Sequence, residues 1–203
     1  MSILDRVVAA VTPPESDEKK RLARKKAWAA AGQNDWLAQV LGHHEQIEGL
    51  FAAVRAAQET TAREQALRKL AIVLTGHANA EEAVIYPALV HFDHKTHAMA
   101  GYTEQAGAKA NLGELEYLDP MSPEFLDKLE HIRGAVAHHM YEEESDRFLD
   151  LKRISPAEQT RLTARYMEEF HRYVNAGEES ELEFGTARTN AIEGDTLRPG
   201  GVR

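Results

Sequence analysis

Apolar residues return every three or four positions through most of the chain, and helix-start signals divide that pattern into segments. The signals are "TPPE" ahead of residue 16, "NDW" at 34–36, "TARE" at 61–64, "SPE" at 122–124 and "SPAE" at 155–158. They predict a leading helix at about residues 14–31, helices at about 35–57, 61–90, 97–117 and 122–152, and a last helix at about 155–176. From Gly177 onward the chain has five glycines and no sustained period, which reads as a tail. Leu182 and Phe184 would anchor that tail on its own bundle or on a neighbouring subunit of a homodimer. The expected fold is all-α. An antiparallel up-down four-helix bundle occupies residues 35–152, with an N-terminal helical extension at 1–34 and a C-terminal helix and irregular tail at 153–203.

In such a bundle the buried positions repeat at spacings of three and four. The stripe of the first bundle helix is Leu37, Val40, His44, Ile47, Phe51, Val54, and that of the second is Leu67, Leu70, Leu74, His77, Glu81, Val84, Ala88. The third reads Ala98, Gly101, Gln105, Ala108, Leu112, Leu115, and the fourth Phe125, Leu129, Ile132, Val136, His139, Glu143. Polar groups therefore interrupt all four stripes. The pairs His44/Glu48, His77/Glu81, His138/Glu142 and His139/Glu143 share the pattern His-x-x-x-Glu, which chance placement would produce about once. Only the second and fourth pairs have both members on a core stripe. A spacing of four stacks the two side chains on one face, so each pair can aim an imidazole nitrogen and a carboxylate at one point.

A buried carboxylate must neutralise or find a cation that replaces its lost hydration. Glu81 and Glu143 face His44, His77 and His139, and no lysine or arginine stands on the stripes at that level. The expected cation is a metal. Mixed imidazole and carboxylate ligands suit iron, manganese or zinc, and two ligand-bearing helix faces suggest a pair of ions bridged by Glu81 and Glu143. The metal-free alternative is a set of core histidines hydrogen-bonded to nearby carboxylates.

Composition narrows the function. At 203 residues, 43% hydrophobic and 28% charged, the chain can bury a core of its own. It has no cysteine, which excludes disulfides, thiolate ligands and thiol catalysis. A net charge of -9 and a pI near 5.6 argue against a nucleic-acid partner. The basic run "KKRLARKK" at 19–26 follows Glu15, Asp17 and Glu18, as on a solvated helix. "MSILDRVVAAV" has no apolar run long enough for a signal peptide or membrane span, so a soluble cytoplasmic protein is expected. His91, His94 and His97 read as a solvated cluster, and His131 and His171 as structural histidines.

With these residues in place, the chain resembles the hemerythrin-like HHE cation-binding family over residues 35 to about 150. "DWLAQVLGHHEQIEGLF" resembles the family's first helix, with His44 in the ligand position and His43 where an aspartate is common. "HANAEEAVIYP" and "AHHMYEEES" match the second and fourth helices, which carries ligand roles onto His77, Glu81, His139 and Glu143, flanked by His138 and Glu142. The resemblance implies a non-haem di-iron centre that meets oxygen, peroxide or nitric oxide. In "TEQAGAKANLGELEYLDP" the usual third-helix histidine is replaced by Gln105, so one of the two iron ions would be under-ligated or absent. Glu48, Tyr102 and Glu104 are the substitutes near this gap. The implied functions are binding or sensing of a small diatomic ligand or peroxide, an enzyme that turns over peroxide or oxidises a small substrate at an open iron position, or an interaction module with a vestigial site.

Overall fold

The structure, a computed structural model, describes the backbone of residues 15–92 and 95–195 and the side chains of 15–92 and 95–176. Most of "TPPE", the segment "MSILDRVVAAV", His94, and the side chains of Leu182 and Phe184 lie outside the described residues. Six helical stretches and no strand occur among those described. Helix α1 (Asp17–Ala30) is capped by Ser16, whose side chain accepts from the Lys19 N–H at 3.3 Å. Helix α2 (Trp36–Ala56) is capped by Asp35, which accepts from the Ala38 N–H at 2.9 Å. Helix α3 starts at Thr60, preceded by Glu59 with no side-chain cap, so "TARE" lies within the helix. It runs Thr60–Ala80, passes through a π-helical turn at Glu81–Ile85 and continues as Tyr86–His91. Helix α4 (Lys95–Glu114) ends in a 3-10 turn, Leu115–Tyr117. Helix α5 runs Pro123–Glu142 from a Ser122 cap, through a second π turn at Glu143–Arg147, to Phe148–Leu151.

Helix α6 (Pro156–Asp195) corrects the expectation of an irregular tail from Gly177, because the helix continues to Asp195. Each interior glycine costs about 1 kcal/mol relative to alanine. Glutamate, leucine, alanine and arginine between the glycines favour the helix, and no proline interrupts it before Pro199.

Helix α2 packs on α3, α3 on α4, α4 on α5, and α5 returns to α2; α1 lies over α2 and the second π turn, while α6 lies against α3 and α2. All six positions of the α2 and α5 stripes are buried, including their histidines and Glu143. In α3 the stripe is buried from Leu70 through Val84, with Leu67 only partly buried, and then shifts: Ile85, Tyr86 and Leu89 are buried, and Ala88 only partly. The π turn causes this slip. Its closing bond runs from the Tyr86 N–H to the Glu81 carbonyl, one residue longer than an α-helical bond, and Pro87 follows with no N–H to return to the helix. No described helix is long and apolar enough to cross a membrane.

Away from the interrupted stripes, buried Arg63 holds the C-terminal end of α2. Its guanidinium donates to the carbonyls of Val54 (3.2 Å), Ala57 and, across the α4–α5 connection, Pro120 (2.7 Å). A cation here satisfies orphan carbonyls and opposes the negative end of the helix dipole. Arg63→Leu should leave these acceptors unpaired and lower stability by about 2–4 kcal/mol, read as a lower urea midpoint with metal content unchanged.

Candidate metal centre

Four side chains converge at the two π turns. His44, His77, Glu81 and Glu143 each offer an atom within 4.8 Å of all the others, and all four are buried. His44 Nε2 stands 3.4 Å from Glu143 Oε2, and His77 Nε2 stands 3.3 Å from Glu81 Oε2. His139 joins through Glu143, with its Nε2 3.1 Å from Glu143 Oε1. Five buried atoms at this centre, His44 Nε2, His77 Nε2, Glu81 Oε1, Gln105 Oε1 and Glu143 Oε2, have no hydrogen-bond partner in the protein. Two imidazole nitrogens and two carboxylate oxygens left unpaired and facing one another form a donor set that fits a divalent metal.

The other nitrogen of each imidazole is held from outside. His44 Nδ1 lies 2.8 Å from Glu144 Oε1, and Glu144 in turn accepts from Arg24 of α1 at 2.8 Å. His139 Nδ1 lies 2.7 Å from Glu104 Oε2, which accepts from Arg147 at 3.0 Å. His77 Nδ1 lies 3.0 Å from the Tyr166 hydroxyl of α6, which is also 2.9 Å from His43 Nδ1. Phe170 stacks on the His43 ring at 3.8 Å. Such partners select the tautomer and orient the inward nitrogen.

The remaining sequence candidates fall in different places. Gln105 reaches the centre, donating its amide to Glu81 Oε2 at 2.5 Å. Glu104 backs His139 from outside. Tyr102 points elsewhere, donating to the Glu82 carbonyl at 2.8 Å. Glu48 is exposed and paired with Arg24 at 2.7 Å, away from the centre. Arg24 thereby corrects the reading of "KKRLARKK" as wholly solvated, and His91 is exposed as expected. Sequence reasoning missed Tyr86, Tyr166, Glu144 and Arg147. Tyr86 is fully buried, and its hydroxyl donates to Glu143 Oε1 at 3.0 Å while lying 3.4 Å from Glu81 Oε2 and 3.3 Å from His139 Nε2. The only sequence signal for it is that Tyr86 would lie on the Glu81 face if the helix widened by one residue.

Protons balance the charge of this cluster in the protein alone. Burial favours neutral His44, yet the nearby Glu143 carboxylate and the hydrogen bond to Glu144 carry its pKa up to about 9. His139 is likewise disfavoured as a cation by burial but raised to about 10 by the Glu143 charge and the Glu104 hydrogen bond. Burial pushes Glu81 well above the usual carboxylate range, and the neighbouring Glu143 charge pushes it further. Glu143 moves down despite burial, because His139 and His44 face it. Burial keeps His77 neutral.

Beside this cluster lies a cavity of about 150 Å³ between α3, α4 and α5. Leu74, Ala108, Val136 and Met140 form apolar walls, and His77, Gln105 and His139 reach its inner side. Half-exposed Lys109 and His138 lie on its outer side.

In this helical protein a buried group of imidazoles and carboxylates could hold a metal ion. Residues 37–151, more than half of the chain, match the hemerythrin HHE cation-binding domain, and the chain belongs to that family. It is also 28% identical over 117 residues to a protein named DNA nickase from Nostoc sp. (strain PCC 7120 / SAG 25.82 / UTEX 2576). That match covers 58% of this chain and 33% of the relative, so the chain spans about a third of the relative's length. No solved structure matches the chain.

The raised histidine pKa values set a pH dependence. A group raised from 6.5 contributes stability that is complete below 6.5 and is lost as pH rises through the folded value, here about 9 for His44 and about 10 for His139. Chelator-treated protein should therefore lose thermal stability between about pH 6.5 and 10, whereas metal-loaded protein, whose ligand histidines are neutral, should lose much less. Melting curves across that range check this.

Proposed function

We propose that this chain is a non-haem di-iron protein of the hemerythrin type, an antiparallel four-helix bundle over residues 35–152 that binds or senses dioxygen, peroxide or nitric oxide. The single observation that carries the reading is the convergence of unpartnered His44 Nε2, His77 Nε2, Glu81 Oε1 and Glu143 Oε2 next to an apolar cavity. His44, His77, Glu81, His139 and Glu143 would hold the iron, with Glu81 and Glu143 as bridges; manganese or zinc would fit the same donors. Bound ferrous iron would supply the electrons and the open positions that a diatomic ligand needs. The protein's own part is to exclude water, since the walls around the cluster are apolar, and to admit a small uncharged molecule through the cavity. Loading exchanges protons for metal charge, since His44 and His139 are raised to about 9 and about 10 and give up a proton when their inward nitrogens bind a metal.

The partner we propose is a small molecule, in a protein free in the cytoplasm. DNA nicking belongs to the Nostoc relative, and a net charge of -9 speaks against a phosphate-binding role for this chain.

Protein purified from iron-replete cells should contain about two iron ions per chain by elemental analysis. Verified chelation should lower Tm, by about 2.7 kcal/mol of stability if free metal stood near 100 times Kd. Metal-free protein with an unchanged melting curve after exposure to iron would leave the metal-free cluster, or a vestigial site, as the reading.

Gln105 supports a second reading, turnover of peroxide. It places an amide rather than an imidazole between Glu81 and the cavity, which leaves room for a substrate on that side. Gln105→His should lengthen metal retention against a chelator and slow peroxide turnover, while Gln105→Ala should shorten retention, since it removes a group that holds Glu81. Retention and turnover unchanged in both variants would reduce Gln105 to a core spacer.

A further inference from the structure

Tyr86 is the one phenol aimed at the inward side of the cluster. Its hydroxyl lies within 3.0–3.4 Å of Glu143 Oε1, His139 Nε2 and Glu81 Oε2. Those three atoms belong to three different residues assigned here as metal-holding. Tyr166, by contrast, touches only the outward Nδ1 atoms of His43 and His77, and the Tyr102 hydroxyl is occupied by the Glu82 carbonyl.

Two features place the phenol there. Five residues after Glu81, a side chain on a regular α-helix would point about 140° away. The π turn closes with a bond from the Tyr86 N–H to the Glu81 carbonyl, and this keeps Tyr86 over the Glu81 face. Across from it, α4 presents Gly101. A β-carbon at position 101 would stand 2.6 Å from Tyr86 Cζ and 2.9 Å from its hydroxyl oxygen, closer than side chains approach. Glycine at 101 and the widened turn at 81–85 thus act on the same ring from opposite helices.

We propose that Tyr86 is a metal ligand, its phenolate oxygen completing the coordination of an iron ion held by Glu143 and His139. The inference rests on the di-iron reading above and adds a ligand to it. On binding of iron(III), the phenol O–H bond breaks as the oxygen–iron bond forms; the proton leaves to the buffer and no electron is transferred. A tyrosinate donor favours the ferric state, because a hard anionic oxygen stabilises the higher charge. The chain thereby gains an anionic ligand on the side where Gln105 offers only a neutral amide.

The test is spectroscopic and independent of turnover. Metal-free protein is loaded with ferrous iron and oxidised in air, iron is counted by elemental analysis, and the ferric form is examined by visible absorption and resonance Raman. The expected result is a phenolate-to-iron charge-transfer band with tyrosinate ring modes, and both should vanish in Tyr86→Phe. Iron release to a chelator should quicken roughly 10- to 100-fold in that variant, the range typical when support for a metal site is lost. Gly101→Ala keeps the tyrosine but displaces its ring, so its band should fall severalfold; this variant and the native spectrum decide the matter if Tyr86→Phe does not fold. Bound iron without tyrosinate modes, or modes that persist in Tyr86→Phe, would overturn the assignment and leave the di-iron reading standing. Failure to bind iron would overturn both.

Discussion

Removing two carboxylates from water is the demand that organises this protein. Glu81 and Glu143 are fully buried, and each such ion costs several kcal/mol unless charge and hydrogen bonds replace its hydration. Both sit at the first residue of a π turn, where a helix locally widens and departs from its usual bonding. Around them the charges alternate outward. Glu143 faces His44 and His139; those imidazoles face Glu144 and Glu104; and these carboxylates face Arg24 and Arg147. Glu48 and Glu142 close the two chains near the surface. Each layer stabilises the layer inside it, so the centre is held by far more of the molecule than the residues that face it.

Much of this was legible in the sequence, because burial on a helix leaves a period behind. The stripes through α2 and α5 hold at every position, and in them His44, His139 and Glu143 stand out as polar residues where leucine or valine would otherwise pack. The same period fails where the helix ceases to be regular. Continuing the 3-4 spacing puts Ala88 on the α3 stripe, and the π turn moves Tyr86 and Leu89 into the core instead. A phenol five residues from a glutamate has no meaning at α-helical spacing, so Tyr86 was invisible. Glu144 and Arg147 were hidden for the same reason, since they lie within the second π turn.

Other contributions were hidden by distance along the chain. Tyr166 is 89 residues from His77, and Arg24 is 120 residues from Glu144; no local pattern links either pair. Arg24 in addition belongs to a run whose other charges read naturally as solvated. The glycines after residue 176 suggested irregular backbone, but composition weighs them without the helix formers between them. In each case a pairwise or longer-range term decided what a local average could not.

Helix α6 lies wholly outside residues 37–151, yet its Tyr166 and Phe170 form the wall against which His43 and His77 rest. The stretch that matches the family is therefore shorter than the unit that architecture requires here. A minimal domain cut at residue 151 would keep every inward-facing donor and expose the backs of two histidines to water. In this chain the matched stretch leans on an outer wall that lies beyond it, and transplanting the one means transplanting the other with it.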